Sequence, residues 1–157
     1  MNLELAICFW VLDLLPSEEI PEIAADALAD GMDSRTLRIM AGERNPSWFE
    51  IAPLFQKVLE ELKVQMPSRQ VAMMQVAKHY AERVVSGQLH PYEGARAIWW
   101  QLGIETDTPD DLLIFVGLAS EYEDFMGQAA NGDPYYRGLL EKITNDIVSE
   151  ARALLGK

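Results

Sequence analysis

Hydrophobic residues recur at intervals of three and four along most of the chain, the spacing that gathers side chains on one face of an α-helix. From Asn2 to Leu15 the stripe is Leu3, Ile7, Trp10, Val11 and Leu14, with Glu4 and Asp13 off it, and Pro16 is the expected stop. Ser17 as N-cap, followed by Glu18 and Glu19 at the positive end of a helix dipole, predicts a second helix that Gly31 closes. Pro21 is tolerated in its first turn, where the missing N–H has no partner to lose. A turn at Met32 and Asp33 leads into a short helix from Ser34 to Ala41, closed by Gly42. From Ser47 onward Trp48, Ile51, Phe55, Val58 and Leu62 form the cleanest stripe; Pro53 falls inside it, predicting either a late start near Ile51 or a kink.

Pro67 and Ser68 separate the next helix, whose expected face is Val71, Met74, Ala77, Ala81 and Val84, ending at Gly87. Pro91 opens a helix carrying Ala95, Ile98, Trp99 and Leu102, ended by Gly103. Thr108 is the expected cap of the following one, with Pro109 at its first position and Asp110 and Asp111 in its first turn. Leu112 to Ala119 is apolar nearly all round, which predicts a central helix contacted on most sides. Met126 to Asp133, with Gly127 and Gly132, reads as a loop, and Tyr136, Leu140, Ile143, Ile147 and Leu154 stripe a last helix from Pro134.

No segment has the sustained alternation, or the Val, Ile and Thr richness, of a sheet. The expected fold is therefore all-α: a single domain, residues 1–157, of seven or eight short amphipathic helices around an apolar helix near residues 109–124. A chain of 157 residues with 49% hydrophobic content can fill one sizeable core.

Charge narrows the partners. Thirteen basic against twenty-five acidic residues give a net −12, which disfavours phosphate backbones and anionic lipid surfaces and favours a basic protein partner. The acid is unevenly spread: between Arg96 and Arg137 there is no Lys or Arg, while Glu105, Asp107, Asp110, Asp111, Glu121, Glu123, Asp124 and Asp133 all fall there. The apolar start of the chain lacks the preceding positive charge and small-residue cleavage site of a signal peptide, and no run approaches the roughly 20 apolar residues of a membrane span, so a cytoplasmic location is expected. Cys8, the single cysteine, sits among apolar neighbours and reads as a buried, inert thiol.

Residues 27–40, ALADGMDSRTLRIM, have the spacing of a helix-turn-helix that would turn Ser34, Arg35, Thr36 and Arg38 to a major groove. The surrounding stretch from Pro16 to Asn45 is nevertheless net acidic, so two helices meeting at a glycine turn is the simpler reading and a transcriptional regulator the alternative. His79 and His90 have no ligand spacing for zinc, and the calcium-loop and paired Glu-x-x-His patterns are absent from the sequence. No activated serine or cysteine, phosphate-cradling loop or dinucleotide fingerprint is found, so no catalytic residue, metal ligand or cofactor is assigned, and an enzyme or metal protein remains only as a further alternative.

The aromatic residues are more informative. Trp99 and Trp100 point about 100° apart on a helix, so both cannot share one narrow buried face. Trp99 continues the Ala95 and Ile98 face, leaving Trp100 as the expected surface anchor; Tyr122, set among Glu121, Glu123 and Asp124, suits a Lys- or Arg-rich partner. The expected partner-binding set is Trp100, Asp107, Asp110, Asp111, Glu121, Tyr122, Glu123 and Asp124, with Glu105 extending it.

SGQLHPYEGARAIWW (Ser86–Trp100) and FVGLASEYEDF (Phe115–Phe125), with SRTLRIMAG (Ser34–Gly42), together resemble short, acidic, all-helical bacterial proteins without an assigned activity. The resemblance implies a compact helical fold and carries over no catalytic residue. In charge and size the chain is also similar to immunity proteins that neutralise bacterial toxins by presenting an acidic face to a basic surface, although no immunity motif matches. The expected function is thus a non-enzymatic interaction module, in its sharpest form an immunity-like inhibitor. Composition leaves a homodimer open, since the Trp and Met content could serve a core or a self-interface.

Overall fold

The computed structural model describes residues 1–103 and 107–156, and among these the fold is all-α, with eight α-helices, one short 3₁₀ turn and no strand. The chain divides into two compact units, Met1–Ala72 and Met73–Lys157. Their boundary falls inside a helix, α5 (Arg69–Val85), rather than in a linker.

In the first unit, α1 (Leu3–Val11) begins at Asn2, whose side chain accepts from the Leu5 N–H. It stops at Val11, before Pro16 is reached, because Asp13 takes a left-handed conformation (φ 59°) and the Leu14 N–H turns back to the Phe9 carbonyl at 2.9 Å. Leu3, Ala6, Ile7, Cys8 and Phe9 are all buried, a broader face than the three-four stripe predicts. Ser17 does not cap the second helix. It opens the 3₁₀ turn Ser17–Glu19, and α2 (Ile20–Ala29) follows without a side-chain cap, carrying Pro21 in its first turn.

Gly31, with φ +90°, ends α2 as expected: the Met32 N–H reaches the Ala27 carbonyl at 3.0 Å through a turn that only a left-handed residue allows. Ser34 then caps α3 (Arg35–Ala41) by accepting from the Leu37 N–H. Helix α4 (Trp48–Glu61) starts at Trp48, not at Ile51, because Ser47 and Glu50 form a reciprocal capping box strong enough to hold the first turn ahead of Pro53. Helices α2, α3 and α4 pack in succession, with α1 on α2, and bury Ile20, Ile23, Leu37, Met40, Ile51 and Phe55. Each such side chain contributes about 1.5–3 kcal/mol of burial.

The second unit contains the rest of α5, then α6 (Pro91–Leu102), α7 (Asp110–Ala130) and α8 (Pro134–Leu155). Along α5 the inward face is Ala72, Met73, Val76, Ala77, Ala81 and Val84; Val71 lies outside it, 50% exposed. Ala77, Ala81 and Val84 are buried as the stripe predicts, and only the first turn differs, with Met74 half-buried and Ala72 and Met73 turned inward, because Val71 through Met74 form an unbroken apolar run with no polar residue to fix its phase. Helix α7 continues through Gly127 to Ala130, so only Asn131 to Asp133 remains of the expected loop. Gly132 (φ +92°) makes the turn, and Asp133 caps α8 by accepting from the Tyr135 N–H. Helices α6, α7 and α8 pack against one another around Ile98, Leu102, Leu112, Phe115 and Ile147.

Candidate functional site on helix α7

Two glycines bring the helices of the second unit close together. A Cβ at Gly94 would lie 2.3 Å from Val84 Cγ2, so α5 reaches α6 where a side chain is missing. A Cβ at Gly103 would lie 2.6 Å from Val116 Cγ2, which places the end of α6 against α7. Thr108, expected to cap α7, instead donates its hydroxyl to the Leu102 carbonyl at 2.7 Å and ties the end of α6. Pro109 takes the N-cap position, and Asp110 and Asp111 stand in the first turn of α7, where the dipole favours them.

Helix α7 is not contacted on most sides. Leu112, Phe115, Leu118 and Ala119 are buried, but Leu113 and Ile114 are 48% and 44% exposed. The outward face also carries Asp110, Gly117, Glu121 and Asp124, all exposed. Asp110, Gly117 and Asp124 are seven residues apart, and Ile114 and Glu121 likewise, so these side chains form one stripe two turns per repeat. Asp110 and Glu121 are about 16 Å apart along the axis at 1.5 Å per residue, with the two apolar residues between them. The continuous run Leu112 to Ala119 hid this division, because a run without polar residues has no readable period.

Trp100 projects from α6, 58% exposed, while Trp99 is half-buried with its ring centroid 5.9 Å from that of Trp100. Asp107 and Asp111 are exposed as well; Glu105 lies outside the described residues.

Tyr122 and Glu123 make contacts to α6. Tyr122 is half-buried and stacks on Tyr92 of α6, centroids 4.4 Å apart and planes 14° from parallel, with His90 edge-on at 6.4 Å. The Tyr92 hydroxyl donates to Glu123 Oε1 at 2.9 Å, and Arg96 Nε lies 3.7 Å from the same oxygen. Burial, then the hydrogen bond to the negative Glu123, pushes the Tyr92 phenol above its ordinary value. These groups fasten α6 to α7, so Tyr122 is no free anchor and Glu123 is partly neutralised by Arg96. Arg96 precedes the Lys- and Arg-free interval by one position in sequence but reaches into it across the helix pair.

Thr36 faces inward, 2% exposed, its hydroxyl donating to Glu61 Oε1 at 2.6 Å and its N–H to Glu61 Oε2 at 3.1 Å. Those bonds, with one from Ser34, hold the Glu61 carboxyl below its ordinary value. Ser34 is occupied as the cap of α3, and Arg38 donates from Nε and Nη2 to the two carboxylate oxygens of Asp33. Of the four residues that a helix-turn-helix would turn to a major groove, Ser34, Thr36 and Arg38 thus make bonds within the unit.

Among the described residues, no group of three His, Cys, Asp or Glu side chains is placed to hold a metal ion, and no helix is long and apolar enough to cross a membrane. Burial, then the charge of Glu4, raises the Cys8 thiol above its ordinary value, the opposite of an activated nucleophile. Sequence reasoning missed Leu113 and Ile114, and also Phe49 in the first unit, 89% exposed beside Trp48. Only the run-on of apolar residues at these places could have signalled them. Comparisons with protein-family models, with curated proteins and with solved structures return no match.

Proposed function

We propose that this chain is a non-enzymatic, cytoplasmic interaction protein whose second unit receives a basic protein partner on the outward face of α7, with an immunity-like inhibitor as the sharpest form. The observation that carries this reading is the juxtaposition of exposed Leu113 and Ile114 with exposed Asp110, Glu121 and Asp124 on one side of one helix. An apolar pair leaves water at a gain of about 1 kcal/mol per half-buried side chain, and carboxylates around it set the sign of charge a partner must bring. Trp100 adds a ring of the kind that anchors interfaces.

A second copy of the chain fits this face poorly, since it would set Asp110, Glu121 and Asp124 of both copies against each other. The second unit alone carries seven basic and thirteen acidic residues, so its long-range field steers cations and basic surfaces inward.

The test is affinity capture from cell extract with the wild type and with the triple variant D110N/E121Q/D124N. The reading expects a basic protein retained by the wild type, lost in the variant, and released in 1 M salt, where the Debye length is about 3 Å. Identical capture by both proteins contradicts it.

A further inference from the structure

The geometry of the α7 face points to a partner of one shape: we propose that it takes a basic amphipathic helix laid along α7, with positive residues about three turns apart and apolar residues between them. This rests on the reading of α7 as a binding face and adds the form of the partner. Four observations carry it. The exposed side chains lie in a stripe parallel to the helix axis, from Asp110 through Leu113, Ile114 and Gly117 to Glu121 and Asp124, rather than in a pocket or a round patch. Helix α7 already packs against α6 on one flank and α8 on another, so the stripe is the remaining side of a helical layer, open to a further helix.

Charge lies at both ends of the apolar pair, which asks for two positive groups separated by about 16 Å, the rise of eleven residues of α-helix. An extended strand would span that distance in about five residues, with side chains alternating between two faces, so fewer of them could match the stripe. The fourth observation is Gly117, at the centre of the stripe. Glycine is the least favourable ordinary residue inside a helix, and here a Cβ would meet nothing within 4 Å among the described residues, so none of them requires its absence. Its use is external: a bare Cα at the middle of the stripe lets a second backbone approach closely, as Gly94 and Gly103 do inside the unit. Gly127 and Gly138 are equally open, but Gly127 lies about 80° around α7 from Gly117 and Gly138 belongs to α8.

The experiment uses the full chain and two synthetic peptides of about 18 residues, a length that covers the stripe. One places Lys at positions eleven apart with Leu and Ala on the turns between; the other has the same composition with the Lys residues shuffled out of register. Binding is read by fluorescence anisotropy and induced helicity by circular dichroism, against the wild type, Gly117→Leu and Gly127→Leu. The proposal expects the in-register peptide to bind and become helical, to lose roughly tenfold in affinity against Gly117→Leu, and to bind Gly127→Leu as it binds the wild type. Both glycine variants remain helical, since the added side chains enter open space. If both peptides bind equally and Gly117→Leu changes nothing, the helical partner is overturned while the acidic face stands. If neither peptide binds, the helical partner is overturned; if capture by D110N/E121Q/D124N also matches the wild type, the acidic face falls with it.

Discussion

Gly94→Ala and Gly117→Ala make the same chemical change on two packed helices, but only at Gly117 does the structure leave room for it. At Gly117 the new methyl enters open space, so only the intrinsic preference acts, a stabilisation of about 1 kcal/mol for Ala over Gly in a helix interior. At Gly94 the same gain is opposed by a Cβ that would sit 2.3 Å from Val84 Cγ2. That is more than an ångström inside the favourable carbon–carbon distance of about 3.5–4.0 Å. The second neighbour, Leu89 Cδ2 at 3.5 Å, closes another direction of relief. Overpacking of this kind costs about 1–3 kcal/mol, so Gly94→Ala should be neutral to about 2 kcal/mol destabilising after the propensity gain. The two variants should therefore differ by about 1–3 kcal/mol, or several degrees in Tm at about 2–4 °C per kcal/mol for a chain of this length. Urea and thermal unfolding followed by circular dichroism measure this directly. Val84→Ala supplies the internal control: it should cost less in the Gly94→Ala background than in the wild type, because it removes the clash. If Gly94→Ala stabilises as much as Gly117→Ala, the close approach of α5 and α6 is wrong.

Two further outcomes follow from the ionisable groups. Glu61, held below the ordinary carboxylate value by Thr36 and Ser34, contributes stability that is complete above about pH 4.5 and is lost as the pH falls through its lower folded value; Glu61→Gln should have a lower urea midpoint at neutral pH and a flatter acid limb, and an unchanged midpoint would refute the Thr36 bond. Tyr92, raised by burial and by Glu123, contributes stability that is complete below about pH 10 and is lost as the pH rises through its higher folded value. Tyrosinate absorbance of the wild type minus that of Tyr92→Phe should therefore show a phenol ionising above about pH 10, whereas a difference step at or below about pH 10 would refute the raised value.

Much of the helix order was legible because punctuation along this chain is strong. Gly31, Ser34, Gly42, Gly87, Pro91, Gly103 and Pro134 each lie at or next to a helix end, where backbone geometry rather than packing decides. Where side-chain chemistry competed with a proline the reading failed: the Ser47–Glu50 box started α4 ahead of Pro53, and a left-handed Asp13 ended α1 short of Pro16. Faces were harder than ends. An uninterrupted apolar run such as Leu112 to Ala119 contains no polar marker to fix its phase, so the exposure of Leu113 and Ile114 became visible only once α6 and α8 had taken the other flanks. Pairing across helices was harder still. Nothing local in sequence links Arg96 and Tyr92 to Glu123, yet this cluster holds Tyr122 and Glu123 half-buried against α6, while Asp107, Asp110, Asp111, Glu121 and Asp124 stay exposed.

Binding of a basic partner on the outward face of α7 can be read residue by residue in nuclear magnetic resonance of the ¹⁵N-labelled full chain titrated with the in-register Lys-Leu peptide. Amide shifts should concentrate at Asp110, Leu113, Ile114, Gly117, Glu121 and Asp124 and vanish in 1 M salt, where screening acts within about 3 Å. Shifts centred instead on the first unit, around exposed Phe49 for instance, or unaffected by salt, would contradict it.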